Sequence, residues 1–207
     1  MIGAIFGLAL LGVAIWFVNG IRRIGAVSAG APVMGQTGTA LVLIDLQSVF
    51  WDAGPYSEEA KAGAQTQIMA EVEAAKSNNI PVIALRQEWS IPSTKAVAKL
   101  LMKGQGIEGT AGLEMAEPFK GAADHVVVKR VQDGFETKEL DRLLKQLDVG
   151  ALRIVGLDTN YCVAKTALAA RQRGYEVEII KRGTLAGDPE AVEKTHLKLQ
   201  KEHVLLR

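Results

Sequence analysis

From residue 39 onward the sequence alternates between two periodicities. Short runs that are apolar nearly throughout (Ala40–Asp45, Ile80–Arg86, His125–Lys129, Ala151–Gly156, Glu176–Ile180 and His203–Leu206) are separated mostly by helix-like stretches. Those stretches are Ser57–Ser77, Ser93–Met102, Thr137–Leu147, Tyr161–Gly174 and Pro189–Lys201. A strand that is apolar on both faces must be covered on both faces, and helical crossovers between parallel strands do this. The pattern therefore predicts an α/β domain over residues 39–207. Ser57 followed by Glu58-Glu59, Asp188 before Pro189, and Gly174 supply the start and stop signals of three helices.

The first residues obey a different rule. No Asp, Glu, Lys or Arg occurs before Arg22, and Ile2–Val18 has no polar side chain. As a helix that run spans about 26 Å, near the short limit for a bilayer crossing. Trp16 and Phe17 fall where interfacial aromatics sit, and Arg22-Arg23 follow. A cleaved signal peptide competes with this reading, but it places its positive charge before the apolar run. A buried soluble helix is the third possibility. The expectation is an N-terminal transmembrane helix over residues 1–21, a single-pass membrane protein with its catalytic domain in the cytoplasm. Residues 22–38, rich in Gly, Ala and Ser after the arginine pair, read as a linker.

The charge balance narrows the function. With 24 basic and 23 acidic residues the net charge is +1. That gives no broad pull toward nucleic acid, and no nucleic-acid partner is expected. One cysteine excludes an intrachain disulfide framework. Lys165, Arg171, Arg173, Lys181 and Arg182 read as a solvated face.

A parallel sheet carries its ligands at the carboxyl ends of its strands. Asp45 ends the first run, Lys129 ends the third, and Cys162 lies a few residues past the fourth, at the start of a helix. A thiol there sees unpaired backbone N–H groups and the positive end of the helix dipole, both favouring thiolate. A neighbouring lysine would lower the thiol pKa further, and a carboxylate could carry its proton. Each residue alone also has a plain reading: a small buried hydrophobe, a loop cap, a solvated strand end. Together they outline nucleophilic catalysis.

Four segments in this order resemble the isochorismatase-like cysteine hydrolases, which include nicotinamidases and N-carbamoylsarcosine amidases. They are LVLIDLQSVF (41–50), the Gly-Thr-x-Gly-x-Glu stretch Gly109–Glu114, VVVKRVQDGF (126–135) and GLDTNYCVAKTALAARQRGYEV (156–177). The resemblance covers about Thr39–Arg207. It implies a three-layer αβα fold on a mainly parallel six-stranded sheet and an Asp–Lys–Cys triad at Asp45, Lys129 and Cys162. It also implies a cis peptide at Leu157–Asp158, an oxyanion hole from the backbone N–H groups of Asp158 and Cys162, and a thioester intermediate. Relatives are commonly homo-oligomers, and one is expected here. The expected substrate is a small amide, ureide or carbamoyl compound. Vinyl-ether hydrolysis is the alternative within enzymes, although that chemistry does not need the thiol. A silent, membrane-tethered interaction module is the alternative outside them.

Nicotinamidases of this family bind a metal through an Asp and histidines just past the first catalytic Asp. Here that stretch contains Asp52 but no histidine, so neither metal nor other cofactor is expected. The scarcity of histidine also disfavours a Ser–His–Asp hydrolase, and no Gly-x-Ser-x-Gly occurs. Gly104-x-Gly106-x-x-Gly109 follows a helical stretch instead of a strand, which fails the dinucleotide context and reads as a loop near the site. Specificity is expected in Trp51–Tyr56 and Trp89–Gly112, with Trp51, Trp89 and Phe135 as candidate substrate contacts.

Overall fold

A computed structural model describes the backbone of residues 2–207 and the side chains of residues 7–207. The six apolar runs form one parallel sheet: β1 Gly38–Ile44, β2 Val82–Gln87, β3 His125–Lys129, β4 Val149–Leu157, β5 Glu176–Leu185 and β6 Leu205–Leu206. Their order is β3-β2-β1-β4-β5-β6, every pair parallel. The predicted fold class is present. The helices are α1 Ile2–Ile24, α2 Ser48–Trp51, α3 Glu58–Ser77, α4 Pro92–Leu101, α5 Glu139–Gln146, α6 Ala164–Gln172 and α7 Val192–Lys201.

The period of two along β1 divides the core. Ala40, Val42 and Ile44 join Leu140 of α5, Ala167 of α6 and Leu199 of α7 on one face. Leu41 and Leu43 join Ile68 and Val72 of α3 on the other. Both faces are sealed, which is why the central strand β1 is apolar from Ala40 to Ile44. Ser57 caps α3 by accepting from the Ala60 N–H, and Gly174 takes a φ of +84° just past α6, as their residue types predict.

Register places the reactive residues. Ile44 pairs with Leu85 and Gly156, and Gln87 pairs with Lys129. The ends of β1, β2, β3 and β4 therefore meet at one edge. Gly156 has a φ of +119°, and a Cβ there would collide with the backbone of Ile44. Only glycine lets β4 come this close to the end of β1.

Helix α1 contains an 18-residue window, Gly7–Ile24, of mean hydropathy 1.4, long and apolar enough to cross a membrane. Its large side chains from Leu8 to Val18 are mostly exposed. Its last two turns behave differently. Phe17, Gly20 and Ile24, spaced for one helix face, meet the domain, and Phe17 and Ile24 join a cluster with Trp89, Val97, Ala98 and Met102. A Cβ on Gly20 would meet the Ser93 carbonyl oxygen at 2.8 Å, so α1 and α4 are in close contact.

Residues 22–38 are not a free tether, which corrects the sequence expectation. Helix α1 continues to Ile24, and Val27 and Val33 pack on the core. Arg173, only 1% exposed, donates to the carbonyls of Ser28 and Ala29 and pairs with Asp141 at 2.7 Å. The Ser28 N–H donates to Asp133 at 2.7 Å. Arg173 thus departs from the predicted solvated face: its guanidinium is buried because backbone carbonyls and a carboxylate satisfy it there.

Candidate active site

Strand β1 ends at Ile44, and Asp45 follows with a φ of +53°. Aspartate is among the few residues that tolerate this left-handed conformation, which costs free energy and is concentrated at functional sites. It turns the carboxylate toward the edge where β3 ends. There Lys129, fully buried, reaches the Asp45 Oδ2 at 2.9 Å and the Cys162 Sγ at 3.3 Å. The ammonium also donates to the Gln87 Oε1 at 2.5 Å. Gln47 orders Gln87 in turn: its Oε1 accepts from the Gln87 N–H at 2.6 Å and its Nε2 donates to the Gln87 carbonyl at 3.1 Å. The structure therefore brings Asp45, Lys129 and Cys162 together, with two buried glutamines behind them.

Cys162 sits in a π-helical turn, Thr159–Val163, between β4 and α6. Such turns occur often at functional sites. Asp158 opens it, its carboxylate accepting from the Asn160 N–H at 2.8 Å and the Gly187 N–H at 2.6 Å. All peptide bonds among the described residues are trans, Leu157–Asp158 included, which corrects the expected cis bond. The Asp158 side chain holds the turn instead.

Electrostatics correct a second expectation. Burial, and next the Asp45 charge, push the Cys162 thiol up, and Lys129 only partly opposes them. Burial raises the Asp45 carboxyl while Lys129 pulls it down. Burial works most strongly against the Lys129 ammonium, but the charges of Asp45 and Cys162 and the hydrogen bonds to both together raise its pKa. Among the described residues the buried Asp45 Oδ1 has no hydrogen-bond partner, which leaves an acceptor on a carboxylate whose other oxygen holds the lysine.

Asp45 and Cys162 open into a cavity of about 530 Å³, large enough for a small organic ligand. Phe50, Tyr56, Trp89, Leu101, Met102, Gln132 and Tyr161 line much of it, and its ionisable wall is Asp45, Asp158, Tyr56, Tyr161, Asp188 and Cys162. Among the described residues, no lysine or arginine lines it. Of the predicted contacts Trp89 is there. Trp51 is not: it packs edge-on against Phe119 at 4.7 Å in the core. Nor is Phe135, which is buried beneath the Arg173 guanidinium at 4.5 Å. Both rings are captured by the core because α2 and the turn after β3 point them inward. Tyr56 lines the cavity, within the expected specificity loop Trp51–Tyr56, whereas Gln87 and Phe50 were missed. Gln87 had a readable signal, one residue past a predicted strand, at the same sheet edge as Lys129. The Gly104–Gly109 segment is a loop beside the site, with the Trp89 N–H donating to the Gly106 carbonyl at 2.7 Å.

The chain matches the isochorismatase domain family over residues 39–205. Nicotinamidase 3 of Arabidopsis thaliana is 24% identical over 164 residues, 77% of this chain and 79% of that protein. The pyrazinamidase of Pyrococcus horikoshii in complex with zinc is 21% identical with a TM-score of 0.69, covering 83% of this chain and 99% of that one. An N-carbamoylsarcosine amidase from Thermoplasma acidophilum is 19% identical with a TM-score of 0.68, covering 83% and 96%. The donors for a metal do not fit here. Asp52 is exposed and off the cavity wall, no histidine lines that wall, and no cluster of three or more His, Cys, Asp or Glu suited to a metal exists among the described residues. With its six-stranded parallel sheet and a domain match over most of its length, the chain belongs to the isochorismatase family of hydrolases.

Proposed function

We propose that this protein is a metal-independent cysteine hydrolase that cleaves an amide, ureide or carbamoyl C–N bond through a thioester on Cys162. The observation that carries the reading is the Lys129 ammonium in simultaneous contact with Asp45 and Cys162 on the floor of the cavity.

The chemistry follows from the atoms present. Asp45 Oδ1 takes the thiol proton as the sulfur attacks the substrate carbonyl carbon, and Lys129 offsets the negative charge in the buried site. Backbone N–H groups of Asp158 and Cys162 hold the oxyanion. Asp45 returns the proton to the departing nitrogen as the C–N bond breaks, leaving the thioester. Asp45 then removes a proton from water, hydroxide adds to the thioester carbonyl, and the sulfur leaves and recovers that proton. A thiol pKa pushed up by burial suits this sequence, because the sulfur then becomes anionic only as the new bond forms.

The acidic, lysine-free wall supports a substrate with a neutral head. It gives no cationic partner to the carboxylates of a vinyl-ether substrate such as isochorismate. Helix α1 is read as a single-pass anchor with the domain on the cytoplasmic side. Each Leu, Ile or Val left 44–71% exposed on it forgoes part of the roughly 1.5–3 kcal/mol that full burial yields, a cost that lipid removes.

The test is ammonia release from a panel of neutral amides, ureides and carbamoyl compounds, with intact-protein mass spectrometry of the acyl-enzyme. Wild type should release ammonia, and Cys162→Ala should release none and carry no adduct. Equal release by Cys162→Ala would overturn the thioester mechanism.

A further inference from the structure

Helix α4 joins the membrane-type helix to the cavity. Phe17 and Ile24 of α1 pack in the cluster that holds Trp89 and Met102. Those two residues also line the cavity. The Ile24 carbonyl accepts from the Gln132 N–H at 3.1 Å, and Gln132 lines the cavity as well. The helix therefore packs against residues of the cavity wall. At the end of α4, Leu101 lines the cavity yet is 63% exposed, and Leu100 beside it is 72% exposed. The apolar part of α1 reaches Trp16 and Phe17, and aromatics of this kind mark the headgroup level of a bilayer. Phe17 packs in the same cluster as Met102, so with α1 in a bilayer this cavity wall would lie at that level.

We propose that the substrate is an amphiphilic amide, a neutral polar head on an apolar chain, taken from the bilayer interface. The head reaches Cys162 and the chain lies along Trp89, Met102 and Leu101. This rests on the cysteine-hydrolase reading and on α1 as an anchor, and it names the substrate class that both leave open. It also gives the anchor a purpose, since a membrane-bound enzyme meets such a substrate where it is concentrated.

The test uses the full chain in phosphatidylcholine nanodiscs and reads Cys162, the single cysteine. Iodoacetamide and N-dodecyl iodoacetamide are the probes. Each rate is divided by the rate for a transmembrane peptide carrying one cysteine at interface depth in the same nanodiscs, which removes simple partitioning. The dodecyl reagent should label Cys162 at least about tenfold faster than iodoacetamide on this normalised scale. Leu101→Asn, at an exposed position that folding does not depend on, should cut that advantage several-fold. An advantage near one, an advantage unchanged by Leu101→Asn, a thiol that neither reagent labels, or a chain that does not enter nanodiscs would each overturn the proposal. Ammonia release from butanamide and dodecanamide is scored separately. A strong dodecyl advantage with no release from either amide supports chain binding and overturns the hydrolase reading. Release without chain preference in labelling or turnover does the reverse.

Discussion

The sulfur of Cys162 is under two opposed influences, and their balance has a measurable sign. Burial and Asp45 push its pKa up, and Lys129 pulls it down. Alkylation by iodoacetamide should therefore keep rising with pH beyond the range where a free thiol, with a pKa of about 8.5, has levelled off. Lys129→Ala removes the group that lowers the thiol pKa, so alkylation at pH 8 should slow. Asp45→Asn removes a charge that raises it and frees the lysine from its ion pair, so alkylation should speed up. A change of one pKa unit corresponds to about tenfold in thiolate at pH 8. Both variants should lose turnover by about 10²-fold or more. Opposite effects on alkylation with a shared loss of turnover distinguish proton transfer by Asp45 from mere packing. Faster alkylation in Lys129→Ala would contradict it.

Among the elements, the α1–α4 contact is the most exposed to a single change. Gly20 meets the Ser93 carbonyl with no room for a side chain. Gly20→Leu should drive the two helices apart at a cost of about 2 kcal/mol, a typical penalty for overpacking. Hydrogen exchange in nanodiscs should then quicken in α4 and in residues 25–37, while β1 and β4 stay protected. Unchanged exchange in α4 would show that the contact does not hold the helix. At the opposite end of the site, Gly156→Ala places a Cβ against the Ile44 backbone at a positive φ. It should destabilise the sheet edge that presents Asp45, visible as a lower midpoint of thermal unfolding.

Across the whole molecule, residues separated by more than a hundred positions are tied by one buried cation. Arg173 links residues 28–29 to Asp141, and its guanidinium covers Phe135. Removing one partner of such a buried, hydrogen-bonded set costs about 3 kcal/mol or more, because the other groups remain buried without it. Arg173→Ala should lower stability by that order and open residues 25–37 to limited proteolysis. Resistance to protease equal to wild type would show that Val27 and Val33 suffice to dock the segment. Together with the contacts of Phe17, Gly20 and Ile24, this tie fixes the last two turns of α1 and the segment after it on the domain.

The local pattern determined a large share of this molecule. Apolar runs alternating with helices require a parallel sheet covered on both faces, and residues at the carboxyl ends of such strands share an edge. Asp45 and Lys129 were legible for that reason, as was Cys162 beyond the fourth strand. A long uncharged run could likewise be read without any tertiary contact. The rest depends on which neighbours a side chain meets, and those neighbours come from distant parts of the chain. Trp51 and Phe135 could face the cavity or the core, and only the packing of α2, Phe119 and Arg173 put them in the core. The sign of the thiol shift could not be read from a helix terminus and a lysine, because burial outweighs the lysine, and burial is a property of the assembled fold. A Gly/Ala/Ser-rich stretch looks like a tether until a buried arginine offers its carbonyls partners. Periodicity and strand ends are local and survive in the sequence, whereas burial, orientation and docking are decided only when the chain closes on itself.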